Sequence, residues 1–262
     1  MSGGRPVTLI TGASTGLGSA LARVFAANGH ALALTARREA QLQALADAIA
    51  AAGQPRPQVI AADLARAEAC ARIEAELHTA GAEPQFLVNN AGFGLMGDAA
   101  DLDRAEQLAM IDLNVRALTD LSLRFIDSLA RHRGGLLNVA SVASFMPGPG
   151  MAVYHASKAY VLSFSEALHR ELEPLGVRVT ALCPGPVETD FQARAGISGG
   201  YFPARLARSA ERVAREGYDG LMRGQRVVIP GTDNKIAALL PRLLPRGLML
   251  SMVRGFQRRR LS

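Results

Sequence analysis

The stretch MAVYHASKAY, Met151 to Tyr160, places three proton-carrying side chains, Tyr154, His155 and Tyr160, around one lysine, Lys158. Tyr154 and Lys158 are four residues apart and share a face if the segment is helical. A phenol with pKa near 10 exchanges protons poorly at neutral pH. An adjacent ammonium favours the phenolate and lowers that value, making the tyrosine a usable acid for a carbonyl or base for an alcohol. His155 lies about 100° around such a helix from Tyr154, and Tyr160 faces away from Lys158. The pairing is selective, because Lys158 and Lys235 are the only lysines in the chain.

A second candidate site lies near the start. The turn TGASTGLG carries Gly12, Gly16 and Gly18, with Ser14, Thr15 and Leu17 between them. It follows a β-branched run and opens a helix-patterned segment. Glycines at such a turn let the backbone approach a pyrophosphate, whose charge the helix N-terminus favours. The segment after the next strand reads TARRE. Many dinucleotide sites place an acid here for the adenosine ribose. This chain has Ala36, then Arg37 and Arg38. Guanidinium groups pair with a 2′-phosphate, so NADP(H) is expected over NAD.

These residues need a scaffold. Apolar runs read as strands at Val7–Thr11, Ala31–Thr35, Val59–Ala62, Phe86–Asn89, Leu136–Ala140, Val177–Leu182 and Arg226–Ile229. Between them, helical spacing covers Gly16–Asn28, Glu39–Ala52, Glu68–Thr79, Arg104–Arg131, Ala152–Leu175 and Ala210–Met222. The alternation predicts an α/β Rossmann-like fold: a doubly wound, seven-stranded parallel sheet with helices on both faces. Ligands then sit at the carboxyl ends of the strands.

The ordered set TGASTGLG, NNAG (Asn89–Gly92), Asn114, Ser141, YHASK (Tyr154–Lys158) and PGPVET (Pro184–Thr189) resembles the short-chain dehydrogenase/reductase family in its compact form. The resemblance covers roughly residues 5–232. It implies an NADP-dependent oxidoreductase interconverting carbonyls and alcohols, with Asn114, Ser141, Tyr154 and Lys158 catalytic. By resemblance, Ser141 bonds the substrate oxygen, with Ser144 a competing candidate, and Lys158 also bonds the nicotinamide ribose. Asn114 holds a water linking the lysine to solvent, or is a satisfied core amide. Asp63 and Leu64 face the adenine, Asn90, Ala91 and Gly92 the adenine ribose, and Pro184, Gly185, Val187 and Thr189 the nicotinamide end. The family also implies a homodimer or homotetramer through the helices at 104–131 and 152–175.

Substrate choice is expected to rest on Ser144–Met151 and Phe191–Leu206, where Phe145, Met146, Met151, Phe191, Tyr201, Phe202 and Leu206 are apolar. A lipophilic carbonyl fits. The alternatives are a 3-oxoacyl-thioester reductase, to which Arg131 and Arg133 would lend a basic patch, and a catalytically silent NADP-binding sensor.

The bulk composition narrows partners. The net charge is +6, but seven basic and no acidic residues lie between Lys235 and Ser262. Taking those seven from 29 leaves 22 basic against 23 acidic residues in the body. That balance argues against a nucleic-acid-binding face. Residues 1–234 read as one domain and 235–262 as a basic amphipathic extension. Such an extension lies on an anionic membrane surface or docks on the body or a neighbouring subunit. Pro241, Pro245 and Gly247 break it, so it is no clean membrane span. Two cysteines make no disulfide framework, the five histidines show no close metal-ligand spacing, and no secretory pattern opens the chain. A cytoplasmic location is expected.

Overall fold

The computed structural model describes residues 4–188, 191, 195 and 207–258. Seven parallel strands run in the order β3-β2-β1-β4-β5-β6-β7. They are β1 (Arg5–Thr11), β2 (Leu32–Ala36), β3 (Gln58–Ala61), β4 (Ala82–Asn89), β5 (Gly135–Val139), β6 (Arg178–Leu182) and β7 (Val227–Val228). The order reverses between β1 and β4, and a crevice opens there at the carboxyl ends.

Both faces of the sheet are covered, and the strands show why. Neighbouring apolar residues point to opposite sides. Ile10, Leu34, Val88 and Leu137 join one core with Leu21 and Phe25 of α1 (Gly16–Ala27), Leu42 and Ile49 of α2 (Glu39–Ala51) and Val213 of a later helix. Leu9, Ala33, Leu87 and Leu136 join the other, with Ile73 and Leu77 of α3 (Ala69–Thr79), Leu121, and Leu168.

β4 begins four residues before the apolar run that announces it. Its register against β1 slips between Val7 and Thr8, which pair with Pro84 and Phe86. Pro84 has no amide to donate, so the irregularity falls beside it.

The expected long helix at 104–131 is three pieces. α4 (Arg104–Ile111) passes through a π-turn, Asp112–Ala117, into α5 (Leu118–Arg124), and α6 (Ile126–Arg131) follows a break at Phe125. The π-turn surrounds Asn114, and such turns re-aim a side chain. α7 (Ala152–Glu171) ends where Pro174 enters a 3₁₀ turn, Glu173–Leu175, closed by Gly176 at φ 74°.

A buried polar ladder fixes α5 and α7 on the sheet. Asn89 donates to the Ser122 hydroxyl and to Asn138 Oδ1, both at 2.9 Å. Asn138 in turn donates to the Ser165 hydroxyl at 2.9 Å. Each serine returns its own proton one turn back, to Leu118 and Val161.

After α8 (Ala210–Met222) and β7, Gly231 turns the chain at φ 89° into α9 (Thr232–Leu243). The expected division between 234 and 235 therefore lies inside the first turn of α9. α10 (Arg246–Arg258) follows Pro245. Among the described residues, no helix is long and apolar enough to cross a membrane.

Candidate active site

A large cleft of about 950 Å³ opens at the carboxyl ends of the strands. Gly12, Ser14, Thr15, Gly16, Leu17 and Gly18 line it at the end of β1. Gly12 has φ 65°, and a Cβ there would lie 2.8 Å from the Ala91 Cα. A Cβ on Gly18 would stand 2.2 Å from the Gly12 carbonyl oxygen. These two positions admit only glycine, and the turn folds flat against its helix. Neither a side-chain cap nor an acidic residue occupies the first turn of α1. Its free amides and dipole therefore face the cleft, as a phosphate requires.

Arg38 reaches back across this turn. Its Nη2 donates to the Thr15 hydroxyl at 2.9 Å and the Ser14 hydroxyl at 3.3 Å. With Arg37 it lines the same end of the cleft, and Ala36 leaves room there. A guanidinium and two hydroxyls converging at an exposed rim form a donor set for a phosphate monoester. Asp63, Leu64, Asn90, Ala91 and Gly92 line the adjoining wall. The Asn90 amide bonds the Thr11 and Gly12 carbonyls, tying the ends of β4 and β1 together. These residues fit a dinucleotide carrying a 2′-phosphate.

At the other end stand Ser141, Tyr154 and Lys158, all buried. Ser141 caps a 3₁₀ turn, Val142–Phe145, and its hydroxyl accepts from Ala143 N and donates to the Pro184 carbonyl. Ser144 turns back to bond the Ser141 amide instead. Of the two serines, Ser141 is the one that lines the cleft. The Tyr154 phenol stands beside the Ser141 side chain, whose hydroxyl acts to lower its pKa.

The expected effect of Lys158 on Tyr154 is not what the packing produces. Burial pushes the phenol up to about 12, with the Ser141 side chain pulling the other way. Burial also lowers Lys158 to about 8, and its Nζ donates to the Val139 carbonyl at 2.7 Å. Desolvation of both groups outweighs their spacing on one helix face. Tyr154 is therefore held as a neutral acid at pH 7, and Lys158 remains mostly an ammonium.

His155 is a structural post. Its Nδ1 donates to the Met146 carbonyl at 2.8 Å, and burial holds its pKa down. Asn114 is 1% exposed and lies off the cleft wall. Its amide accepts from Phe93 N and donates to Phe93 O and the Ser157 hydroxyl. Both polar atoms of the side chain thus have protein partners. It braces the Gly92–Phe93 segment that follows β4.

Pro184, Gly185 and Val187 line the floor, while Thr189 lies outside the described residues, as do Tyr201, Phe202 and Leu206. Met146, Met151 and Phe191 line the apolar wall, as expected; Phe145 packs in the core beneath. The sequence reading missed Ala237, Leu240, Met249, Met252 and Val253 of α9 and α10, which also line it. Their helical spacing was visible, but spacing does not say what a helix face packs against.

The short chain dehydrogenase family model matches residues 6–197. The chain belongs to the short-chain dehydrogenase/reductase family. This short-chain dehydrogenase is 39% identical over 188 residues to a sulfoacetaldehyde reductase of Chromohalobacter salexigens, covering 71% of this chain and 74% of the relative. It is 31% identical over 271 residues to 11-beta-hydroxysteroid dehydrogenase 1A of Arabidopsis thaliana, covering 95% and 76%. A short-chain dehydrogenase from Sphingobium yanoikuyae, solved with NADPH, superposes with TM-score 0.80 at 33% identity, over 93% of this chain and 95% of that one. The chain is thus an oxidoreductase of alcohol and carbonyl groups.

Proposed function

We propose that this short-chain dehydrogenase is an NADPH-dependent reductase of lipophilic carbonyls, working in reverse as an alcohol dehydrogenase. One observation carries the reading: the buried Tyr154 phenol, with Ser141 and Lys158, forms the polar end of a cleft whose far wall is apolar. The NADPH-bound relative and the Arg38 donor set support the cofactor.

A bound nicotinamide supplies the hydride. Tyr154, a neutral acid, gives its proton to the carbonyl oxygen as charge develops there. Ser141 donates a hydrogen bond to the same oxygen, a bond worth most in a water-poor site. The Lys158 ammonium would hold the ribose hydroxyls and sets the field around the phenol. Asn114 acts as a positioning residue through Phe93 and Ser157. Asp63, Leu64, Asn90, Ala91 and Gly92 would hold the adenosine half, and Pro184, Gly185 and Val187 the nicotinamide half; Thr189, outside the described residues, is assigned to that half by the family resemblance alone. The test is consumption of NADPH, followed by its absorbance, against aldehydes, ketones and acyl thioesters of rising bulk. Turnover of bulky ketones is expected; a chain that binds NADPH and reduces none of them is a sensor instead. The thioester alternative is not favoured. Arg131 pairs with Glu83, and Arg131 and Arg133 precede β5, at the strand ends opposite the cleft.

The lowered pKa of Lys158 has a pH consequence. Its ammonium is present below about pH 8 and is lost above it. The kcat/KM for reduction is expected to hold level near neutrality and to fall about tenfold per pH unit once Lys158 deprotonates. A profile flat through pH about 9 would show that this charge is not needed.

We infer a homodimer or homotetramer through α4, α5 and α7, where Leu108, Ile111, Leu123 and Tyr160 are exposed. The outer face of the tail carries exposed Ile236, Leu239, Leu243 and Leu248 beside the basic residues of a segment without acids. This favours peripheral contact with an anionic membrane, on a protein we propose to be otherwise cytoplasmic. Wild-type chain is expected to float with anionic vesicles, and Leu239→Glu/Leu243→Glu to stay behind. Equal flotation of the two would remove the membrane contact.

A further inference from the structure

The sequence separates residues 235–262 from the catalytic body, yet the structure brings five of their side chains into the cleft. Ala237, Leu240, Met249, Met252 and Val253 face the chamber that Met146, Met151, Phe191 and Tyr154 enclose from the other side. Met249 is only 5% exposed, against 71% for Leu243 on the outer face of α9. All five are apolar, so this wall selects by shape and not by hydrogen bonding.

The helix pair is anchored at its root. Asp233 pairs with Arg208 at 2.5 Å. Asn234 is buried and donates to the Pro230 carbonyl at 2.6 Å. Its amide rests directly on Gly185, where a Cβ would lie 2.3 Å from Asn234 Oδ1. The base of the tail is thus pressed against the loop that floors the cleft. Leu244 is extended (φ −98°, ψ 145°) ahead of Pro245, which ends α9 and lets α10 change direction. Leu250, Ser251 and Arg254 of α10 then flank Pro149 and Gly150, on the loop His155 holds in place. The pair therefore spans the chamber from Gly185 to Gly150.

We propose that α9 and α10 roof the substrate chamber and that Met249 sets the bulk of the carbonyl admitted. This rests on the reductase reading and adds the residue that decides which lipophilic carbonyls fit. A buried, unbranched thioether adapts to several apolar outlines, so the wild-type chain takes a range of bulky ketones. A rigid, larger side chain at this position narrows that range.

Two measurements test it on the full chain. In the first, Met249→Cys and Leu243→Cys are titrated with a thiol-reactive disulfide reagent. Background is low, because Cys70 and Cys183 are buried and burial pushes both thiols up to about 12. A seated roof makes Met249→Cys react at least about tenfold more slowly than Leu243→Cys. Equal rates overturn the roof. In the second, Met249→Trp is compared with wild type on a small aldehyde and a fused multi-ring ketone. The KM for the ketone is expected to rise about tenfold more than the KM for the aldehyde. Equal loss on both compounds, or none on the ketone, overturns the assignment to Met249. A wild-type chain that reduces neither compound sinks the reductase reading and, with it, the selecting role; the labelling ratio still decides whether the roof exists.

Discussion

Tyr154→Phe is expected to lower kcat for carbonyl reduction by about three orders of magnitude, with the Kd for NADPH within about twofold of wild type. The substitution removes one oxygen from a buried ring and leaves the packing against Phe191 in place. What it takes away is the acid. The described neighbours are poor replacements: His155 is committed to the Met146 carbonyl, the Lys158 ammonium is held on the Val139 carbonyl, and the Ser141 hydroxyl is far too weak an acid to substitute. Steady-state kinetics and a fluorescence titration of NADPH measure the two quantities separately. A kcat within about tenfold of wild type would take the proton-donating role from Tyr154.

The second large effect is expected at the other end of the cleft. Arg38→Ala should weaken NADPH binding by about 10²-fold and leave NADH binding within about twofold, since a charge-assisted bond is worth about 1.5–3 kcal/mol. Arg38 suits such a test because its side chain bonds only the Ser14 and Thr15 hydroxyls at an exposed rim. Removing it disturbs no core. Adding Ala36→Asp places a carboxylate where the 2′-phosphate would lie and should turn the preference toward NADH. Titration of both cofactors reads the result. Equal weakening of NADPH and NADH by Arg38→Ala would mean that Arg38 steadies the glycine turn and does not read the phosphate.

Much of this site was legible because its parts are local. A glycine turn between strand and helix, a Tyr and a Lys one helical turn apart, and a serine at the end of β5 each announce themselves within a few residues. The seven strands and their parallel order followed from apolar runs separated by helical spacing. What stayed hidden depends on residues distant in the chain. The slip beside Pro84 arises from pairing with Val7 and Thr8. The π-turn at Asn114 goes with bonds to Phe93 and Ser157. The proton affinities of Tyr154 and Lys158 are governed by how deeply the fold buries them, and this reversed the direction expected from their spacing. The inward face of α9 and α10 was hidden for the same reason.

The Asn89–Asn138 ladder gives the enzyme its ruler. Ser165 of α7 hangs on Asn138 at the centre of the sheet, eleven residues from Tyr154. At 1.5 Å per residue that is about 16 Å along the helix. A slide of α7 by one residue would tear this bond apart inside the core, at a cost of about 1–3 kcal/mol for each polar group left unbonded. The reach of the phenol is thus measured from the middle of the sheet and not from the loops around the cleft. Those loops and the tail are free to diverge between relatives, changing which molecule is reduced without moving the point of proton delivery.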